Sequence, residues 1–192
     1  MLRLTGGEFR GRSIQTPPER AGKSFLRPTQ AKLRQALFNS IQGRIEGAKV
    51  LDLFSGSGAL GFEALSRGAE SVVFVEDSRI AVRLIEKNAE TLGVRERMKI
   101  FGDSVTKVLQ RVQGESPFDI VFADPPYEGD WETWLLNEMP WKDVLVVEGI
   151  FCLEWGIKKS KVDSVPEVIS VLTKIREKNY GDSILTTYQR SS

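Results

Sequence analysis

Residues 49–61 read Lys49-Val50-Leu51-Asp52-Leu53-Phe54-Ser55-Gly56-Ser57-Gly58-Ala59-Leu60-Gly61, and the fold turns on how that stretch is taken. Lys49 to Phe54 is a short apolar run with the look of a buried strand. Ser55 to Gly61 is a glycine turn, and Phe62-Glu63-Ala64-Leu65 continues in good helix formers. Glycines at 56, 58 and 61 fit G-x-G-x-x-G, the pattern a chain needs to turn tightly from strand to helix and approach a ligand closely. Taken alone, the pattern serves a dinucleotide equally well, or is a strand-to-helix turn with no ligand.

The acids around it narrow the choice. Asp52 lies four residues before Gly56, where a carboxylate repels a pyrophosphate but attracts the ammonium of a methionine moiety. Glu76 ends the next strand-like run, Ser71–Val75, near the spacing at which an acid reaches ribose hydroxyls. Asp103 follows Met98-Lys99-Ile100-Phe101 in the same way. Either acid singly is as well explained as a polar strand end. As a series they favour S-adenosylmethionine over a pyrophosphate ligand.

A fourth strand ends differently. Phe118-Asp119-Ile120-Val121-Phe122-Ala123 runs into Asp124-Pro125-Pro126-Tyr127. A carboxylate, a rigid proline pair and an aromatic ring can hold a planar, conjugated amine by its N–H bonds while the ring covers the plane beside it. An ordinary proline corner with Asp124 as its cap is the plainer reading. A proline-rich recognition ligand is another, but it needs an exposed extended segment, which the preceding apolar run argues against. With a nucleotide-type loop upstream, the amine-holding reading gains weight.

Outward from this centre, strand and helix patterns alternate. The periodicity predicts a helix opened by Arg27-Pro28-Thr29, with Thr29 as N-cap and Leu33, Ala36, Leu37 and Ile41 inward; the helix stops near Gly43 and Gly47. A helix over 78–92 has Ile80, Leu84, Ile85 and Leu92 as its inner face, and shorter helices cover 104–112 and begin near Trp131. Trp131, Trp134 and Leu135 read as packing residues. Val144–Val147 and Ile150–Trp155 are both strand-like, the second being taken as the fifth strand. Val171–Lys178 and Ser183–Gln189, joined by Asn179-Tyr180-Gly181-Asp182, form a hairpin. The sum is an α/β, Rossmann-like fold of the S-adenosylmethionine-dependent methyltransferase kind. It is a mostly parallel doubly wound sheet with an antiparallel C-terminal hairpin and a small N-terminal β-hairpin and helix extension.

Composition constrains the rest. Of 192 residues, 41% are hydrophobic and 28% charged, ordinary for a globular chain. A single cysteine, Cys152 in Ile150-Phe151-Cys152-Leu153, excludes an intrachain disulfide framework and reads as a core residue; it fits a reducing compartment. The absence of histidine removes imidazole base catalysis and argues against a metal site. No signal peptide or bilayer-spanning apolar run is present, so the expected location is cytoplasmic and no membrane partner is expected.

The net charge of +1 is unevenly spread. Residues 1–44 hold nine Lys/Arg against two Asp/Glu, residues 45–157 eleven against twenty, and residues 158–192 seven against four. Charge runs usually solvate an exposed face. Here they cluster with glycine in Gly6-Gly7-Glu8-Phe9-Arg10-Gly11-Arg12, between the alternating segments Leu2-Arg3-Leu4 and Ser13-Ile14-Gln15, followed by a polar linker from Pro17 to Lys23. A basic hairpin on an acidic body favours a polyanionic partner held at one end. The division expected is a nucleic-acid-contacting segment over 1–47 and a catalytic domain over 48–192.

These stretches resemble the bacterial methyltransferases that modify the exocyclic N2 amine of a guanine in small-subunit (16S) ribosomal RNA, the RsmD family. The likeness rests on Gly6-Gly7-x-x-x-Gly11-Arg12, Arg27-Pro28-Thr29, residues 51–61, Glu63 to Ala69, Asp124-Pro125-Pro126-Tyr127 and Tyr180-Gly181-Asp182. It runs nearly end to end, with segment 141–175 departing from it. The resemblance implies S-adenosylmethionine as donor, S-adenosylhomocysteine as product, and no metal. It implies that Asp124, Pro125, Pro126 and Tyr127 form the catalytic corner. Asp124 and the Pro125 carbonyl would accept the amine hydrogens, and Tyr127 would stack on the extruded base. It gives the cofactor Asp52, Phe54, Gly56, Gly58, Glu76, Asp103, Ser104 and Asp124. For RNA it gives Arg10, Arg12, Arg27, Thr29 and Arg34, with ribosomal RNA inside an assembled subunit as the partner. A DNA adenine-N6 methyltransferase is the first alternative, though it usually carries a target-recognition insertion for which there is no room. A protein glutamine methyltransferase more often opens the motif with Asn and leaves the basic arm unexplained. A non-catalytic RNA-binding assembly factor would not need Asp124.

Overall fold

The computed structural model describes the backbone of residues 1–17, 28–126, 129–156 and 164–192, and their side chains apart from those of residues 28–30. The chain opens with a two-stranded antiparallel hairpin, β1 (Leu2–Arg3) and β2 (Ser13–Ile14), in which Leu2 faces Ile14. Helix α1 (Pro28–Ser40) follows. Then come β3 (Lys49–Leu53), α2 (Ala59–Ser66), β4 (Ser71–Val75), α3 (Arg79–Leu92), β5 (Met98–Phe101), α4 (Val105–Glu115) and β6 (Phe118–Ala123). Helices α5 (Trp131–Asn137) and α6 (Trp141–Val144) lead into β7 (Leu145–Gly156), β8 (Val168–Ile169), β9 (Leu172–Tyr180) and β10 (Ser183–Arg190).

The main sheet runs β5-β4-β3-β6-β7-β10-β9-β8. β3 pairs in parallel with β4 and β6, β4 with β5, and β6 with β7; β10 joins β7 and β9 antiparallel. The central strands are apolar on both faces because helices cover both faces. Alternate residues separate two cores. Val50, Phe74, Phe122 and Cys152 pack with α1, α2 and α3 through Phe38, Phe62, Ile85 and Leu92. Leu51, Val73, Val121 and Phe151 pack with α4, α5 and α6 through Val108, Leu135 and Trp141. Cys152 belongs to the first core, where burial pushes its thiol up to about 12. Among the described residues no helix is long and apolar enough to cross a membrane.

The N-terminal segment shares the first core through Leu4, Phe9, Ile14 and Leu37. Polar groups fasten it as well. Thr5 donates its backbone N–H and hydroxyl to Glu63 at 2.8 and 2.7 Å. Ser66 Oγ accepts from the Phe9 N–H and donates to the Gly6 carbonyl. Asn88 exchanges hydrogen bonds with the backbone of Gln15 at 2.7 and 2.9 Å. Gly7 has φ +72°, and a Cβ there would fall 1.7 Å from the Ser66 carbonyl oxygen, so only glycine lets the hairpin seat against α2.

Several expectations from the sequence need correction. Helix α1 begins at Pro28, so Thr29 lies in the first turn instead of at the cap; proline suits that first helical position because its missing N–H would have had no partner there. Ile80 is 60% exposed, and the buried stripe of α3 is Ala81, Ile85, Asn88, Ala89 and Leu92. At 3.6 residues per turn, Ile80 sits roughly 120° from that stripe's centre. The strand-like runs 144–147 and 150–155 are one strand, β7, with Val144 in α6. Glu148 at φ +64° makes the bulge that looks like a break, and the pairing with β6 shifts there. The first strand of the C-terminal hairpin, β9, runs two residues further into the turn, to Tyr180, while β10 begins at Ser183 as expected, leaving Gly181-Asp182 as the connection. Helix α4 likewise continues to Glu115. The linker, from residue 18 on, lies outside the described residues.

Candidate active site

β4 and β6 flank β3 on opposite sides, so the connections leaving β3 and β6 part and a crevice opens at their carboxyl ends. A cavity of about 340 Å³ lies there. Asp52, Phe54, Gly56, Glu76, Asp103, Ser104 and Asp124, all singled out in the sequence, line it. The sheet brings them together because Leu53 pairs with Val75 and Ala123, and Val75 with Phe101.

The three glycines have distinct duties. Gly56, at φ +54°, would place a Cβ in open space, which leaves its backbone accessible from the cavity. Gly58 caps α2 in the left-handed region at φ +77°, and a Cβ there would meet Phe62 at 2.7 Å. At Gly61 a Cβ would fall 2.2 Å from the Phe74 ring, so this glycine sets how closely α2 packs on the sheet. Beside the loop, Phe54 meets Trp131 edge-on at 5.1 Å, and Trp131 in turn contacts Trp134 at 6.3 Å.

The acids differ by environment. Asp52 is buried and accepts the Gly61 N–H at 3.0 Å. Burial pushes its carboxyl up to about 7 against that hydrogen bond, with the Glu76 charge adding to the rise. Glu76 accepts from the Gly56 N–H at 2.6 Å and the Ser78 N–H at 2.8 Å; burial raises it despite both. Asp103 is held below the usual range by the Ser104 N–H at 2.8 Å and by Lys107 at 3.3 Å. Asp124 presents exposed surface to the cavity while its carboxyl sits deep among protein atoms. Burial raises its carboxyl well above the ordinary range, and the charges of Glu154 and Asp52 add to the effect.

Glu154, which the sequence reading missed, and Arg34, read there as an RNA contact, also line the cavity. Glu154 follows Leu153, which pairs with Ala123, so it stands beside Asp124 on the neighbouring strand, two residues before that strand ends at Gly156. An acid inside the apolar run Ile150–Trp155 was the available signal. Arg34 is 5% exposed; its Nη2 donates to the Arg3 carbonyl at 2.9 Å and its Nε lies 3.5 Å from Glu63. It is a buried tie between α1, β1 and α2, not an outward phosphate contact. Glu63, wholly buried, also takes Arg67 at 2.9 Å. Leu2, Thr16, Leu33 and Arg34 make the N-terminal segment one wall of the cavity.

Of the other residues read as nucleic-acid contacts, Arg10 is exposed, and Arg12 is exposed while bonded to the Thr91 carbonyl and stacked over Phe9 at 5.5 Å. Arg27, Tyr127 and the side chain of Thr29 lie outside the described residues. Pro125 is buried and Pro126 lines the cavity. Among the described residues no group of three or more His, Cys, Asp or Glu is arranged to hold a metal ion.

Comparison with known proteins is consistent along the whole chain. The family model described as Conserved hypothetical protein 95 matches residues 2–189. The ribosomal RNA small subunit methyltransferase D of Escherichia coli strain K12 is 31% identical over 191 residues, covering 100% of this chain and 91% of that protein. The candidate rRNA methyltransferase YlbH of Bacillus subtilis is 30% identical over 190 residues, 98% of this chain and 99% of that protein. The solved structure of the candidate methyltransferase yhhF from Escherichia coli superposes with a TM-score of 0.81 at 29% identity, covering 100% of this chain and 98% of that one.

Proposed function

The chain belongs to the family described as Conserved hypothetical protein 95, the family of ribosomal RNA small subunit methyltransferase D, and on that premise we propose that it methylates the exocyclic N2 amine of a guanine in small-subunit (16S) ribosomal RNA with S-adenosylmethionine as donor. The observation that carries the reading is the convergence of Asp124 on one cavity with Gly56, Glu76 and Asp103. The cavity suits the donor on its own terms. Gly56 leaves room for a close approach, and Asp52, Glu76 and Asp103 line the cavity; this supports a reading in which Glu76 takes the ribose hydroxyls, Asp103 the adenine amine and Asp52 the ammonium. When bound, the donor supplies an activated methyl group and leaves as S-adenosylhomocysteine.

An aromatic amine is a weak nucleophile because its lone pair is delocalised, so the chain's task is to hold it. Asp124 and the Pro125 carbonyl accept its two N–H bonds, which favours a pyramidal nitrogen and the positive charge developing on it. Fixing both reactants in line is worth roughly 7–11 kcal/mol of the barrier. No dedicated base is needed beforehand, since the nitrogen becomes acidic only on alkylation, and a chain without histidine suits that chemistry. Tyr127 is proposed to stack on the extruded base, as access to the amine requires it to leave the helical stack. Residues 1–47, with Arg10 and Arg12 outward, are proposed as the RNA-contacting arm on the catalytic domain 48–192, with an assembled subunit as the natural substrate.

The test offers labelled S-adenosylmethionine to ribosomal RNA, assembled subunits, DNA and protein in parallel, followed by digestion of the product to nucleosides. Label in N2-methylguanosine from ribosomal RNA is expected. Label in N6-methyladenosine from DNA would favour the adenine-methylating alternative, and no transfer to any acceptor would favour a binding factor.

A further inference from the structure

Glu154 is the feature of the cavity that the reaction as described leaves without work. It interrupts a run in which Ile150, Phe151, Cys152, Leu153 and Trp155 are all at most 3% exposed. Burial raises its carboxyl above the ordinary range, against a hydrogen bond from the Ser183 hydroxyl on the adjacent strand. A half-buried acid at such a place costs stability, and positions that break the local pattern of a strand tend to be functional.

Its placement suggests the function. Asp124 and Glu154 each follow a paired residue, Ala123 and Leu153, on adjacent parallel strands. Such strands lie about 4.8 Å apart, and glutamate is one methylene longer than aspartate, so the two carboxylates can converge on one planar edge. An ionised carboxylate only accepts hydrogen bonds. Two of them side by side therefore suit a partner with two adjacent donors. Guanine offers that pair, the N1–H and the N2 amine. Adenine and cytosine instead carry a lone pair next to their exocyclic amine, which faces a carboxylate with repulsion.

We infer that Glu154 is a specificity-determining residue that accepts the N1–H of the target guanine while Asp124 accepts from its N2 amine. The inference rests on the reading of the site proposed above and deepens it: Asp124 holds the reacting nitrogen, and Glu154 selects the base that carries it. Recognition by a charged acceptor rejects a base lacking the donor, because its carboxylate is then left desolvated and unpaired.

The experiment uses the full chain, its Glu154→Gln and Glu154→Ala variants, and ribosomal RNA carrying either guanine or 2-aminopurine at the mapped target nucleotide. 2-Aminopurine keeps the N2 amine but has a lone pair at N1. The wild type is expected to favour guanine by about 10- to 100-fold in kcat/KM, the range of a hydrogen bond to a charged group. In Glu154→Gln the amide can donate to that lone pair as well as accept, so the preference should fall at least about tenfold. Glu154→Ala should lose the preference with guanine activity lowered. Donor binding measured by calorimetry should be unchanged in both. Equal rates of the wild type on the two RNAs, or an undiminished preference in variants that bind the donor normally, would overturn the inference and leave the reaction standing. Failure of the wild type to methylate guanine N2 at all would overturn the underlying reading and this inference with it.

Discussion

Replacing Asp52 with Asn probes the electrostatics beneath the glycine loop. The Asp52 carboxyl is 2% exposed and is pushed from 3.8 to about 7, by burial first and the Glu76 charge second, with the Gly61 N–H opposing. A higher value in the folded state means that the folded protein binds this proton more tightly than the unfolded chain. The resulting stability is complete below about pH 4 and is lost as pH rises through 7. The gap from 3.8 to about 7, at about 1.4 kcal/mol per factor of ten, amounts to roughly 4 kcal/mol at the upper limit. Asparagine carries no charge, and its Oδ1 can still accept the Gly61 N–H now made at 3.0 Å. Asp52→Asn should therefore match the wild type near pH 4 and exceed it by up to roughly 4 kcal/mol near pH 8. Partial hydration of the site would reduce the size and keep the sign. Urea unfolding followed by circular dichroism from pH 4 to 8, without donor, reads the difference from midpoint and slope. A difference independent of pH, or one in which the wild type gains as pH rises, would refute the reasoning.

Three further outcomes follow from named interactions. Gly61→Ala should destabilise the chain by about 1–3 kcal/mol in the same urea assay, since its Cβ would fall 2.2 Å from the Phe74 ring; unchanged stability would show that α2 can back away from the sheet. The acid limb of kcat/KM should lie well above the ordinary aspartate range, because burial, Glu154 and Asp52 raise Asp124 and the amine is held best by its ionised form; a limb near pH 4 would contradict this. Neutralising Arg10 and Arg12 together should lower the salt slope of RNA binding by about one for each phosphate no longer neutralised, whereas Arg34→Gln should chiefly lower stability, its guanidinium being committed to Glu63 and Arg3. A slope indifferent to Arg10 and Arg12 would move the RNA surface elsewhere.

The parts of this molecule that could be read from the sequence are those whose physics is local. Strands β3, β4 and β6 are largely apolar runs because helices cover both faces; Glu76 and Asp124 directly follow the last apolar residues of β4 and β6, and Asp52 stands inside β3 just before Leu53. Gly56, Gly58 and Gly61 advertise the loop because their conformations and clearances admit little else. Asp124 is marked by its prolines. Other features depend on partners far along the chain. Glu63 sits in α2 like any surface acid, yet it is wholly buried because Thr5, Arg34 and Arg67 converge on it from 58, 29 and 4 residues away. Asn88 looks like a polar position on α3 but clamps Gln15. Glu154 escaped notice because its neighbour Asp124 is adjacent only through the sheet. Ile80 misled because an apolar residue one step out of phase still looks helical, and Glu148 because a bulge and a strand end share the same local signal.

The claim on which the account depends is that Asp124 holds the reacting amine at the end of β6, and single-turnover methyl transfer by Asp124→Ala measures it most directly. With donor binding measured separately by calorimetry and S-adenosylmethionine held at saturation for each protein, the variant should form N2-methylguanosine in ribosomal RNA at a rate lower by a factor on the order of 100 or more, the loss typical of removing one transition-state acceptor or donor. Transfer at the wild-type rate from saturating donor would contradict the account.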